Sequence, residues 1–379
     1  MINIARQYKS FDILLFLLVV AVAIFGIFAI ESASLTASHV PSLAEKQKVF
    51  VITGVVLLLL AAFIDYQLIC RFYILIYVFN LILLAIVLFQ PTVAGVARWI
   101  NIGSVSIQPS EFTKLFMIIF LAKFIDKEIE KINNIRVLFI IAAATIIPVW
   151  LIQRQPALSA SLVLLFIVVT MVFIAGLSYK FIFAIMIVVL PLAILFFYDL
   201  TQETHIFIDT FLEDYQLKRL YAWLNPELYP DSSYQTNQSL RALASGQFSG
   251  KGLNQGVISQ FASFLPHAES DFIFALVGEE FGFVGSVTLL GIVLLIVLKC
   301  LLIAQKAPDN LGKLLVSGVA AMIAFQTFDN ICVATGLLPN TGMPFPFVSA
   351  GGSSLWVSMI SIGLVLNVGM SKQKSIFEG

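Results

Sequence analysis

Asp271 opens the stretch SDFIFALVGEEFGFVG, where a polar loop gives way to a long apolar run. An ionisable group beside hydrocarbon is costly, so it marks a cavity or a site. A carboxylate at such a mouth, reachable by a substrate from the aqueous side, is suited to general-base work. Glu279 and Glu280 lie about 12 Å further along a helix rising 1.5 Å per residue. At that depth they are expected to pair internally instead of meeting substrate. Gly278, Gly282 and Gly285 recur at i, i+4 and i+7, a small-residue face for close helix packing.

Two more stretches carry chemistry. In GVARWINIGSVSIQPSEFTK, Pro109 and Ser110 form a helix start with Ser110 as N-cap. Glu111 and Lys114, three apart, share a face and can pair. With Arg98 upstream, this helix N-terminus suits a phosphate or diphosphate; a Glu–Lys pair that only packs two helices is the plainer alternative. In LLPNTGMPFPFVSAGGSSLW, residues 337–356, three prolines and a Gly-Gly pair force irregular backbone. Such backbone is tolerated at membrane depth only where it lines a cavity. Ser349, Ser353 and Ser354 can cap the following helix or donate to a ligand. No GxSxG elbow is present and no histidine is placed as its base, which argues against a serine hydrolase. The three histidines are scattered and the three cysteines lie in apolar runs, so neither a His-rich metal site nor a disulfide framework is indicated. A divalent cation, Mg or Mn, bridging a diphosphate to a carboxylate is compatible with this set.

The elements that must hold these residues are membrane helices. The chain of 379 residues is 60% hydrophobic and 12% charged, against about 25% charged in soluble domains. Zero net charge gives no electrostatic case for nucleic acid. Runs long enough to cross a bilayer fall near 11–30, 49–64, 69–89, 110–126, 136–153, 160–176, 179–198, 272–299, 313–335 and 350–370. The first is too long for a signal-peptide core and is followed by further spans. The fold class is therefore an all-α polytopic membrane protein of about ten transmembrane helices, a single domain over 1–379. Lys and Arg set the sides. With the N-terminus inside, thirteen lie in cytoplasmic segments, among them Arg6, Lys9, Arg71, Lys123, Lys306 and Lys372; five lie outside, Lys46, Lys48, Arg98, Lys114 and Arg154. Both termini are expected in the cytoplasm. Residues 199–271 then form a large extracellular loop between the seventh and eighth spans, with a short amphipathic helix over 237–245 stopped by Gly246. Loops of that length are commonly functional. No internal repeat is evident, so an inverted-repeat transporter gains no support.

On this topology the helix entrances at 98–114, 271 and 340–354 share the outer side. Cations for an anion and one accessible carboxylate next to lipid suggest a lipid-linked diphosphate as substrate. The stretches GVARWINIGSVSIQPSEFTK, LASGQFSGKGLNQG, SDFIFALVGEEFGFVG and NTGMPFPFVSAGGSS, in order along nearly the whole chain, resemble the SEDS family of bacterial cell-wall synthesis, the RodA/FtsW/SpoVE-type proteins. The resemblance implies a peptidoglycan glycosyltransferase in the bacterial cytoplasmic membrane that polymerises lipid II with a class B penicillin-binding protein as partner. It places Asp271 on the family's essential aspartate, and Arg98, Glu111 and Lys114 on its polar cavity residues. Short tails lean towards a RodA-like role. There are departures: QPALSAS carries Ala157 where the family commonly has an acid, PHAESDF exchanges the positions of His267 and Glu269, and SAGGSS has Ala350 for a tyrosine. A lipid II flippase and a non-catalytic scaffold for the transpeptidase are the rival readings.

Overall fold

The computed structural model describes residues 11–33, 43–90, 98–102, 105–155, 157–199, 214–258 and 264–371. In chain order the helices are α1 (Ile13–Ala33), α2 (Leu43–Phe63), the short α3 (Tyr66–Arg71), α4 (Tyr73–Val87), α5 (Pro109–Lys127), α6 (Ile135–Gln153), α7 (Leu158–Ile174) and α8 (Tyr179–Asp199). They continue with α9 (Asp214–Leu224), α10 (Pro230–Gly246), α11 (Ile273–Gln305), α12 (Asn310–Ala334) and α13 (Gly352–Met370). A small antiparallel hairpin, β1 (Ile100–Ile102) and β2 (Val105–Ile107), pairs Ile100 with Ile107 just ahead of α5. The all-α expectation did not foresee that hairpin.

Every one of the expected apolar stretches is helical, and six of the helices are long and apolar enough to cross a membrane: α1, α2, α6, α11, α12 and α13. The expected 69–89 span is divided at Phe72 into α3 and α4. Polar side chains start several helices, satisfying otherwise orphaned N–H groups. Asp65 accepts from Gln67 N, Asn134 from Arg136 N and Asp309 from Gly312 N.

Burial runs from the centre outwards. α12 and α13 are mostly enclosed, as is α5. Around them, α1, α2, α4, α6, α8 and α11 expose large apolar side chains such as Leu17, Ile52, Leu75, Phe139, Ile187 and Leu294. A continuous apolar exterior of this extent is a lipid-facing surface.

Side-chain ties identify the two ends of the bundle. At one end Lys299 pairs with Asp12 at 2.9 Å, Tyr66 and Gln67 both reach Asp309, and Asn367 holds Tyr66 N and Ala62 O. At the other end Gln47 donates to Ser349 O, and Ser353 Oγ accepts from Gln108 N. The helices α9 and α10, both within the expected 199–271 loop, pack over this second end: Ser239 Oγ donates to Ala334 O and Trp223 Nε1 to Gly336 O.

One long helix is interrupted. Within α11 the backbone of Gly282 has φ 64° and ψ −162°, a conformation open to glycine and costly for other residues. The N–H groups of Phe283 and Val284 would ordinarily bond the carbonyls of Glu279 and Glu280. Instead they donate to Gln247 O and Phe248 O, while Glu279 O and Glu280 O accept from Lys251 N and Gly252 N. The segment 247–252 is thus inserted into the break, and all four freed backbone groups are satisfied, as low-dielectric surroundings demand. Gly282 was expected only to allow close packing; its larger role is to open the helix. Gly246 and Gly278 do fit the packing role, since a Cβ on Gly246 would collide with the Gly278 carbonyl.

Candidate functional site

Asp271 sits in a tight turn directly before α11. His267, with φ 61°, turns the chain, and the His267 carbonyl accepts from Ser270 N and Phe272 N. Phe272, fully buried, anchors the turn in a cluster with Ala242, Leu265 and Ala275. Three consecutive carbonyls are then held from across the bundle. Ala350 N donates to Glu269 O at 2.8 Å, Ser349 Oγ to Ser270 O at 2.6 Å, and Asn330 Nδ2 to Asp271 O at 2.9 Å. Asn330 also donates to Met343 O, and Ser349 Oγ accepts from Phe345 N. The proline-rich 337–350 segment and the 267–272 turn are therefore bolted together, which fixes the Asp271 backbone before any substrate arrives.

The half-buried Asp271 carboxylate points at the 340–342 backbone. A Cβ added to Gly342 would lie 3.4 Å from Asp271 Oδ2 and 3.9 Å from Arg219 Nη1, so glycine leaves the room that the two side chains share. Arg219, on α9, donates from Nη1 to Asn340 O at 3.0 Å. Desolvation pushes the Asp271 carboxyl above the usual carboxylate range; His267, Arg219 and the Ser270 hydrogen bond act against it, and Glu269 adds to it. A second carboxylate lies on the far side of the same loop: Asp329, buried on α12, accepts from Thr341 Oγ1 at 2.5 Å.

The remaining expected site residues form a second cluster around α5. Glu111 and Lys114 do pair, Nζ to Oε2 at 2.8 Å, and both are buried. Ser110 was expected as the N-cap of this helix. The cap is Gln108, with Pro109 in the first turn, where its missing N–H costs nothing. Gln108 N is itself satisfied by Ser353 Oγ at 3.0 Å, so Ser353 serves α5 and not its own helix, whose N-cap is Gly351. Arg98 Nε donates to Gln155 O at 3.0 Å at the corner between α6 and α7, two residues before Ala157. Among the described residues, Asn80 Nδ2, Gln155 Oε1, Ser161 Oγ and Gln326 Oε1 are buried polar atoms with no hydrogen-bond partner. Such atoms cost about 1–3 kcal/mol each when left dry.

Residues 349–353 join the two clusters, since Ser349 and Ala350 hold the Asp271 turn and Ser353 holds the start of α5. Glu279 and Glu280 are structural, as expected. Glu279 accepts from Lys251 Nζ at 2.6 Å and from the N–H groups of Val257 and Ile258, and Glu280 accepts from Ser32 Oγ. Sequence reasoning missed Arg219 and Asn330. Arg219 was visible only as the one arginine of YQLKRLYAW in the outer loop; Asn330 gave no signal beyond an amide in an apolar run.

The whole arrangement is a lipid-facing helical bundle with a braced carboxylate and adjacent cations at one end. The chain belongs to the FtsW/RodA/SpoVE family of cell cycle proteins, whose family model matches residues 12–374. It is 35% identical to a probable peptidoglycan glycosyltransferase FtsW of Trichlorobacter lovleyi, over 97% of this chain and 96% of that one. Among solved structures it resembles a chain of a peptidoglycan synthase complex that coordinates polymerization and crosslinking, with TM-score 0.77 and 29% identity, covering 95% of this chain and 97% of that one. It also resembles the rod shape determining protein RodA of Thermus thermophilus, with TM-score 0.67 and 28% identity over 95% and 96% of the two chains.

Proposed function

We propose that this chain is a peptidoglycan glycosyltransferase that polymerises lipid II at the outer face of the bacterial cytoplasmic membrane. Its termini lie in the cytoplasm, and a class B penicillin-binding protein crosslinks the strands it makes. The observation that carries this reading is the triple bracing of the Asp271 turn, which holds one carboxylate next to Arg219 at the end of a membrane bundle.

The reaction is an inverting transfer. The 4-hydroxyl of one lipid-linked disaccharide forms a bond to the anomeric carbon of the growing strand. The bond from that carbon to diphosphate breaks, and undecaprenyl diphosphate leaves with its electron pair. Asp271 takes the hydroxyl proton, a contribution of about 10²–10⁴-fold. The diphosphate is already a good leaving group and needs no acid. Arg98 and the Lys114–Glu111 pair, with Ser353 at the start of α5, border the polar interior that receives it, and fixed charges there oppose its growing negative charge. Ser349 acts through the Ser270 carbonyl it holds.

Among the described residues no group of three His, Cys, Asp or Glu side chains could hold a metal ion. A Mg or Mn ion fits only as a substrate-borne one, since such ions are commonly held by one or two carboxylates together with substrate phosphates. The ion would supply charge neutralisation of the diphosphate.

A flippase needs a polar path between faces. The braced carboxylate and its cations gather at one end, and the other end is crossed by the Lys299–Asp12 and Tyr66–Asp309 ties. A pure scaffold leaves the bracing of Asp271 without purpose.

The test is purified protein, with its transpeptidase, incubated with labelled lipid II and divalent cation, comparing wild type with Asp271→Asn on a glycan gel. Polymer from wild type and none from the folded variant supports the assignment. Equal polymer from both removes Asp271 as base, and no polymer from either, beside an active control polymerase, transfers the case to the flippase or scaffold.

A further inference from the structure

A separate pocket opens between α9, α10 and the end of α12. Its empty volume is about 500 Å³ including its mouth, and its walls include Arg219, Trp223, Thr236, Asn237, Gly336 and Asn340. The make-up of the walls is selective. The indole of Trp223 is fixed by its N–H on Gly336 O at 2.9 Å, which spends its polar edge on the protein and leaves a rigid apolar plate. Asn237 and Thr236 bring an amide and a hydroxyl, groups that both donate and accept. Arg219 is the one charged side chain among the described lining residues, so the pocket's net charge favours a neutral or anionic ligand.

Its position is as informative as its lining. Arg219 and Asn340 are walls of the pocket, and the same two residues frame the Asp271 carboxylate: Arg219 Nη1 bonds Asn340 O, and Gly342 lies between Arg219 and Asp271 Oδ2. One guanidinium therefore separates the pocket from the base. α9 and α10 are themselves seated on the end of α12 through Trp223 and Ser239.

We propose that this pocket is a saccharide subsite. It binds a sugar ring of the glycan strand next to the sugar that reacts at Asp271, the apolar face of the ring lying on Trp223 and its hydroxyl and amide groups meeting Asn237, Thr236 and Arg219. This rests on the polymerase reading above and adds to it a grip on the strand outside the reacting bond. The consequence is retention: a strand held here stays bound between additions, so the site governs chain length more than the rate of each step.

The test uses the full chain in detergent and two probes. The first is lipid-free disaccharide and tetrasaccharide fragments of peptidoglycan, with binding followed by calorimetry. The second is labelled lipid II, with products sized on a gel. Trp223→Ala is expected to weaken tetrasaccharide binding about tenfold or more, equivalent to ~1.4 kcal/mol, and to shorten the glycan chains. Because Trp223 also ties α9 to α12, Asn237→Ala provides a variant on an exposed residue with a smaller shift in the same direction. Unaltered tetrasaccharide affinity in both variants overturns the proposal, as does a change confined to co-purification of the transpeptidase, which would make the pocket a protein contact. These outcomes are separate from failure of the polymerase reading, since oligosaccharide binding is measured without turnover and Asp271→Asn is expected to retain it.

Discussion

Asp271 has to be an anion to accept a proton, yet its surroundings favour the neutral form. Desolvation raises its carboxyl, and Arg219 and His267 pull it back. Activity therefore falls as pH drops through this raised value, and the acid limb of the kcat/KM profile lies above the ordinary carboxylate range. Removing a cation that favours the carboxylate must raise the value further. Arg219→Gln is expected to move the acid limb to higher pH, read from a pH–rate profile of lipid II polymerisation; a limb that stays in place or moves down contradicts the geometry. The sign for stability is the opposite of the usual acid case. A carboxyl raised above its unfolded value contributes stability fully below that unfolded pKa and loses it as pH rises through the folded one. Above that raised value the charged Asp271 is a liability, so there Asp271→Asn should unfold at a higher temperature than wild type while losing its polymerase activity, measured by thermal unfolding in detergent.

The broken helix α11 shows which features of an element a sequence displays. Its apolar run, its acidic mouth and its paired glutamates were all legible, because hydrophobic length and misplaced charge are local signals. The break at Gly282 was not, because it depends on the remote segment 247–252 exchanging four backbone bonds with it. The same contrast holds for the site. Asp271, Glu111 and Lys114 stood out as charges in apolar company, and the Glu111–Lys114 pair follows from spacing alone. Arg219 and Asn330 act through contacts with residues more than fifty positions away, which no local pattern encodes. Ser349 was visible as a hydroxyl but its partner, the Ser270 carbonyl, was not. Two outcomes test the break. Gly282→Ala forces a side chain into a left-handed backbone and against Gly250, and should destabilise by about 1–3 kcal/mol or more. Lys251→Met leaves Glu279 buried without its cation, a loss of roughly 3 kcal/mol given the partial exposure of Lys251. Lys251→Met combined with Glu279→Gln should recover part of that loss in a double-mutant cycle.

The described molecule has an apolar core and an apolar exterior, with polar side-chain ties at both ends of the bundle. Its orientation can be read by labelling, because the native cysteines Cys70, Cys300 and Cys332 are all buried and give little background. Glu227→Cys, exposed between α9 and α10, should react with a membrane-impermeant maleimide in spheroplasts. Lys131→Cys, exposed between α5 and α6, should react only after permeabilisation. The reverse pattern would invert the topology and place Asp271 on the cytoplasmic side. The order in which the parts are made adds a further consequence. α12 and α13, the most enclosed of the six spanning helices, follow Asp271 in the chain, and the braces on the Asp271 turn come from Asn330, Ser349 and Ala350, all downstream of it. A nascent chain whose synthesis has passed α9, α10 and Asp271 still lacks every one of those braces. The site thus comes into being only once α12 and the 337–350 segment are made, and chains interrupted before them are held harmless by their own incompleteness.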